Sequence, residues 1–591
     1  MATTNAATQK LSSYLSRLNP IPGFPEYTGP YKVGTIDVEI PISELEPISP
    51  TPEDASHIRT VLFRVFYPAT PDTNGKRITW LPAPQRLHVS AYTQFLGIGP
   101  MMASVLSFLP RHMNYISIPV HKNASLESPP TDIPNGRWPT MIFDHGLGGS
   151  RNAYSHFAGS LASHGVVVIC PEHRDGSAVL SLIRDPRDMD RYFRRKAQEV
   201  VPYVRIGHTQ TPEVWRARDK QIRIRCWELG LLLEALVGLD IRRSDIIESN
   251  MNGTTPLAAL QQFKGKLDIH EPGKIIFGGH SFGAATMVQL LKSTYYADRK
   301  EITSQAEPAF APRAHSAIRK QITEKNPVIL LDMWCFPLVS ASFAPLLDLP
   351  LPAYADVPTA PGGAAILVVE SETFFKWTEH LHTKARILSP NPTASVVSAA
   401  DFERPSGVRL PEPNVFYVKN SAHLNQSDFG VLFPWLCKKV FGSDAPERAL
   451  RLNLRAALQF LRGNNVPVTR TWAGDLVEGA HVDKLDASSK ASSGTSKDLD
   501  DGIHDDRAIL DRKADSAVEA WSWIDTIGLG GEAAKTELEL AAAGEKGQDF
   551  LPESKDAERQ MEGEMEPGAT APGTLEAETV GTVEQPVAAS A

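Results

Sequence analysis

At 591 residues, with 42% hydrophobic and 22% charged side chains, the chain carries enough apolar material for a large buried core, which excludes a wholly disordered protein, while its 46 prolines imply many long connections. Cys170, Cys226, Cys335 and Cys437 stand far apart with no CxxC pair, so neither a disulfide framework nor a thiolate metal site is expected. The formal charge of −9 is uneven: residues 481–591 hold 25 acidic and 10 basic side chains, which leaves the remainder mildly basic, an ordinary solvated surface with no aromatic-interleaved basic stripe for nucleic acid.

The opening MATTNAATQKLSSYLSRLNP lacks the apolar core of a secretory signal, Ala2 excludes N-myristoylation, and the final VAASA offers no prenylation cysteine. A cytoplasmic protein with at most peripheral membrane contact is expected, and residues 1–26 read as a flexible leader. From there to residue 475, seven apolar runs alternate with helix-like segments: Val61 to Tyr67, Thr140 to Phe143, Val166 to Cys170, Lys274 to Phe277, Val328 to Leu331, Ala364 to Val369 and Val415 to Val418. This alternation predicts an α/β domain with a mostly parallel sheet covered on both faces. Pro212 to Leu239 has helical periodicity and should cover one face just before the fourth run. Polar or Pro-rich stretches at 293–326 and 348–363 read as insertions.

Two further segments stand apart. Val89 to Pro110 holds no charged residue over roughly a membrane-spanning length, but its internal Gly-Ile-Gly-Pro breaks a helix. A buried helix and an amphipathic segment dipping into a lipid interface are the stronger readings, the latter led by Phe95, Leu96, Met101, Met102, Leu106 and Leu109. Residues 476–591 are rich in Ala, Glu, Gly, Ser and Asp and read as a disordered acidic tail. Its one apolar island, Ala517 to Gly528, is expected to be a transient helix or a docking motif.

The chemistry concentrates at Gly279-His280-Ser281-Phe282-Gly283, which follows an apolar strand and precedes a helix-forming run. This is the pattern of a nucleophile elbow, where glycines two before and two after the serine avoid clashes in a strained turn, and it places the chain in the α/β-hydrolase fold. A serine hydroxyl needs a base and a carboxylate that orients the base. His423 lies just past the last strand, whereas His380 and His382 fall in a helical context that reads as surface. Two strand ends compete for the acid, Asp332 after one strand and Glu370 or Glu372 after the next. The oxyanion formed in acyl transfer needs two N–H donors. Phe282 supplies one, and the Gly-rich loop Asp144-His-Gly-Leu-Gly-Gly-Ser150 supplies the other through Leu147. No metal and no cofactor is called for.

With these residues in place, the chain resembles the platelet-activating factor acetylhydrolase family of calcium-independent phospholipases A2 from about Tyr27 to Leu461. The shared segments are TGPYKVGTIDVEI, FRVFYPA, TWLPAP, FDHGLGGSRNAYS, Val168-Ile-Cys-Pro-Glu-His-Arg-Asp175, GHSFGAAT, LDMWCFPL and SAHLNQSDF. The resemblance selects Asp332 as the acid, His423 as the base, and Leu147 and Phe282 as oxyanion donors. It implies a glycerophospholipid substrate with a short or oxidatively truncated sn-2 acyl chain, and an interfacial role for the 89–110 region. The two insertions and the tail are not family features. A general carboxylesterase, an acyltransferase or a non-catalytic lipid-binding scaffold of the same fold are the alternatives, and the residues do not specify an oligomeric state.

Overall fold

All seven apolar runs are strands of one sheet. The computed structural model describes residues 23–97, 99, 102–104, 111–131, 133–184, 199–433, 446–471, 510 and 518–529. In chain order the main strands are β1 (Lys32–Pro41), β2 (Thr60–Ala69), β3 (Trp138–Asp144), β4 (Val167–Pro171), β5 (Ile276–His280), β6 (Val328–Leu331), β7 (Ile366–Ser371), β8 (Asn414–Val418) and β9 (Trp521–Trp523). Their spatial order is β1-β2-β4-β3-β5-β6-β7-β8-β9, with two-residue strands at His121–Lys122 beside β1 and Leu267–Asp268 beside β3. From β4 to β8 every pairing is parallel. β2 runs antiparallel to both β1 and β4.

The central strands read as unbroken apolar runs because both their faces are covered. In β6, Val328 and Leu330 point into one core layer and Ile329 and Leu331 into the other; in β7, Ile366 and Val368 separate from Leu367 and Val369 in the same way. The first layer is closed by α3 (Pro212–Asp240) and α4 (Phe282–Tyr295), the second by α2 (Ser155–Ser163) and α6 (Pro446–Gly463). The α3 helix begins where the sequence signals it: Pro212 occupies the first turn, and the Thr211 side chain accepts a hydrogen bond from the Val214 amide. Both insertions are packed rather than loose. Ile302, Phe310 and Ile318 from the first, and Leu351 and Tyr354 from the second, are buried in the same layer as α3 and α4.

Two expectations need correction. The island at 517–528 is an edge strand, not a helix: β9 pairs antiparallel with β8, with Trp523 opposite Phe416 and Trp521 opposite Val418. Trp521 stacks on Phe416 at 4.6 Å, and the Ala520 carbonyl accepts the Lys419 amide at 2.9 Å. Residues 518–529 therefore belong to the catalytic unit, while the rest of the tail, apart from Leu510, lies outside the described residues. The free edge of β8 is what selects the strand, because strand stability comes from a partner and a packed face rather than from local preference. Trp521→Ala in the full chain is expected to lower unfolding free energy by about 3 kcal/mol, read as a shift of the denaturant midpoint at constant m-value.

The second correction concerns His380 on α5 (Thr378–Ile387), which is fully buried, not on the surface; its Nε2 accepts the Cys335 amide at 3.0 Å and its ring stacks on Trp377. The segment Val89 to Pro110 is described in part. The helix here, α1 (Gln85–Phe95), ends at Phe95, and no helix among the described residues is long and apolar enough to cross a membrane. Leu96 and Met102 are exposed, whereas Phe95 is half-buried against Tyr203. Met101, Leu106 and Leu109 lie outside the described residues, as do residues 1–22 of the leader.

Candidate active site

Strand order decides where the site sits. β4 lies on one side of β3 and β5 on the other, so the chain reverses its direction of winding between β3 and β5, and a crevice opens at the carboxyl ends of these two strands. The loop after β3 carries Leu147, and the turn after β5 carries Ser281.

Ser281 has φ 55° and ψ −119°, a left-handed backbone that non-glycine residues rarely adopt. Its amide donates to the Leu331 carbonyl at 2.9 Å, and its carbonyl accepts the Trp334 amide at 3.2 Å, so the end of β6 holds the turn on both sides. The two elbow glycines are required by contact. A Cβ on Gly279 would meet the Gly283 carbonyl carbon at 2.6 Å, and one on Gly283 would meet the Asp144 carbonyl oxygen at 2.4 Å.

Asp332 and His423 meet as expected, with His423 Nδ1 and Asp332 Oδ2 2.9 Å apart. Asp332 also accepts the Ser371 amide at 2.5 Å and the Ser371 hydroxyl at 2.7 Å. Burial pushes the Asp332 carboxyl up to about 7, opposed by Ser371 and by the nearby Lys384 ammonium. Burial, reinforced by Lys384, pushes the His423 imidazole down to about 3, so the ring is neutral and available as a base. Phe374 stacks flat on His423 at 4.4 Å, and the His280 ring lies 4.3 Å from its centre. Glu370, the competing acid, is buried in an ion pair with Lys384, and Glu372 pairs with Lys376; neither hydrogen-bonds His423. The serine-to-histidine hydrogen bond is not formed in this geometry; such bonds tighten when substrate arrives.

On the facing loop, the Gly146, Gly148 and Gly149 amides are spent on Tyr154 Oη, the Ser177 carbonyl and the Gly146 carbonyl. The Leu147 and Phe282 amides have no partner among the described residues, as donors kept for an oxyanion would. Gly146 comes so close that a Cβ on it would stand 3.1 Å from Ser281 Cβ. Phe95 presses on the same loop, where a Cβ on Gly148 would meet its ring at 2.6 Å.

Sequence reasoning missed the charged layer under this loop. His173 is held between Asp144 at 2.8 Å and Glu228 at 2.7 Å, and Arg225 bridges Asp144 and Asp175 at 3.1 Å each while donating to the His145 carbonyl at 2.8 Å. Burial alone would lower the His173 pKa, but Asp144 and Glu228 outweigh it and raise the value to about 9. His173 and Asp175 stand in the Pro-Glu-His-Arg-Asp segment, a charged run at a strand end that signals such a layer. Glu228 and Arg225 are hidden within α3. Asp428, five residues after His423, accepts from Trp80 Nε1 and the Ser155 and His156 amides, tying the base loop to the start of α2.

Ligand atoms of Asp144, His145 and His173, and of His280, Asp332 and His423, lie within 4.8 Å of one another in each triplet. In the first triplet Arg225 already sits on Asp144, so a cation would have to displace a fixed positive charge. In the second, Asp332 and His423 are engaged with each other.

A mostly parallel sheet with a strained serine turn after β5, an acid after β6 and a histidine after β8 defines an ester hydrolase of the α/β-hydrolase type. The profile of the family described as platelet-activating factor acetylhydrolase, isoform II, matches residues 19–351. A putative phospholipase A2 of Schizosaccharomyces pombe is 30% identical over 75% of this chain and 92% of its own length. The platelet-activating factor acetylhydrolase of Cavia porcellus is 28% identical over 45% of this chain and 52% of its own. Among solved structures, a ferulic acid esterase from Streptomyces cinnamoneus aligns over 74% of this chain and 91% of its own at 15% identity, with a TM-score of 0.40. The chain belongs to the platelet-activating factor acetylhydrolase, isoform II, family.

Proposed function

We propose that this protein hydrolyses the sn-2 ester of glycerophospholipids carrying a short or oxidatively truncated acyl chain, through a covalent acyl-serine. The observation that carries the reading is the strained Ser281 turn after β5 together with the 2.9 Å His423–Asp332 pair, formed past the ends of β8 and β6. His423 takes the Ser281 proton as Oγ attacks the ester carbonyl, and Asp332 stabilises the imidazolium that forms. The developing oxyanion rests on the Leu147 and Phe282 amides. His423 then returns the proton to the departing lysophospholipid oxygen, and a water deprotonated by the same ring releases the acid. The short-chain preference is drawn from the family, as is a phospholipid surface as the place of work. The exposed Leu96 and Met102 beside the half-buried Phe95 support peripheral contact, and the buried free thiols of Cys170, Cys226 and Cys335 suit a cytoplasmic setting.

An organophosphate probe is expected to label the wild-type chain at Ser281 with one equivalent, as read by intact mass and peptide mapping. Labelling elsewhere, or none in a folded sample, contradicts the reading. The working pair is ionised Asp332 with neutral His423. Whichever of the two takes a proton first as pH falls, the base is lost, so kcat/KM should decline on the acid side, where burial holds the Asp332 carboxyl above its ordinary range. A rate that is flat from pH 8 to pH 5 would contradict this assignment.

A further inference from the structure

Beside the elbow lies a positive charge that the mechanism leaves unused. Arg218, on α3, is 1% exposed, and all its hydrogen-bond partners are neutral. Nη1 donates to Gln221 Oε1 and Nη2 to the Ile206 carbonyl, each at 2.9 Å, with the Tyr203 hydroxyl close by. Arg218 forms no ion pair among the described residues. The nearest carboxylate influence, Asp175, is already held by Arg225 at 3.1 Å. Arg225 on the same helix shows what a structural arginine does here: it is neutralised by two carboxylates.

Two N–H groups at this place are buried without a partner among the described residues, Arg218 Nε and the indole Nε1 of Trp334. The two residues touch, the Arg218 guanidinium carbon lying 5.2 Å from the Trp334 ring centre and 5.7 Å from that of Phe282. Trp334 is bound to the nucleophile's own residue through its amide, 3.2 Å from the Ser281 carbonyl. Stacking on the rings offsets part of the cost of burying the cation, but it leaves charge and donors unanswered. Their complement is a compact anion with several acceptor oxygens. In a glycerophospholipid the phosphodiester hangs on the carbon next to the one that bears the sn-2 ester.

We propose that Arg218 and Trp334 form the subsite that takes the phosphodiester of the substrate, an inference that rests on the serine-esterase reading above. The segment from Tyr203 to His208 covers the pair, with the His208 ring edge-on to Trp334 at 5.0 Å and the Ile206 carbonyl on Arg218. The substrate phosphate replaces that carbonyl as acceptor when the segment yields.

The test compares a soluble dibutyroyl phosphatidylcholine with p-nitrophenyl acetate, which has no phosphate, in the full-length wild type, Arg218→Gln, Arg218→Lys and Trp334→Phe. The ratio of kcat/KM for the phospholipid to that for the neutral ester is expected to fall at least tenfold in Arg218→Gln, chiefly through KM, to recover partly in Arg218→Lys, and to fall severalfold in Trp334→Phe. Inorganic phosphate should inhibit wild-type hydrolysis of the neutral ester competitively, and more weakly in the variants. An unchanged ratio, or an equal loss on both substrates, overturns the subsite. If Arg218→Gln does not fold, Trp334→Phe decides, since it removes the N–H and keeps an aromatic ring. Turnover of the neutral ester but not of the phospholipid by the wild type would overturn the phospholipid reading, leaving phosphate inhibition to judge the anion site separately.

Discussion

Ser281→Ala is expected to lower kcat on short-acyl esters by about a millionfold while leaving the melting temperature close to wild type. The substitution removes only Oγ. The turn is held by backbone bonds from Leu331 and Trp334, which alanine keeps, so structure and chemistry separate cleanly in this variant. Asp332→Asn should cost about ten-thousandfold, because an amide in that place leaves the imidazolium without its counter-charge and disturbs the tautomer of His423. Steady-state kinetics with a thermal melt on the same samples check both. More than about one per cent of wild-type activity in Ser281→Ala would remove the serine from the mechanism.

Arg225→Met is expected to destabilise the protein by about 3 to 5 kcal/mol, because Asp144 and Asp175 would be left buried with their shared cation gone. The denaturant midpoint is the readout, and a shift worth less than about 1 kcal/mol would mean that the layer relaxes or admits water. Catalysis should suffer as well, since Arg225 holds the His145 carbonyl at the root of the oxyanion loop. The same layer makes wild-type stability depend on pH. His173 has its folded pKa raised from an ordinary 6.5 to about 9, so its contribution is full below pH 6.5 and fades as pH climbs through 9. A loss of stability between those values, smaller in His173→Gln, is the expected signature.

Much of the site could be read along the chain because its residues announce themselves locally. A Gly-x-Ser-x-Gly between an apolar strand and a helix former requires nothing distant to be recognised, and His423 follows directly on a β-rich run. The acid was different. Asp332 and Glu370 stand at equivalent strand ends, and spacing left both open until the resemblance favoured Asp332. In the fold the choice follows from partners: Glu370 is claimed by Lys384 of α5, whereas Asp332 receives Ser371 and His423. His380 was misread for the same reason, since helical spacing near polar residues does not reveal that Trp377 and Phe374 close over the ring. Trp521 and Trp523 looked like a helix in an acidic tail because the edge they complete is about a hundred residues away in sequence.

The sequence by itself determined the α/β class, the seven core strands, the α3 helix and the identity of Ser281 as the residue to watch, because apolar periodicity and elbow sterics are properties of neighbours along the chain. Only the tertiary structure decided that Asp144, His173, Arg225 and Glu228 form a charged layer under the Gly-rich loop, that Trp521 closes the sheet, and that Arg218 stands buried without a counter-ion among the described residues. Each of these depends on which groups share a desolvated space. A charge or N–H there is worth several times what it is worth in water, and only the meeting of distant segments settles whether it is answered.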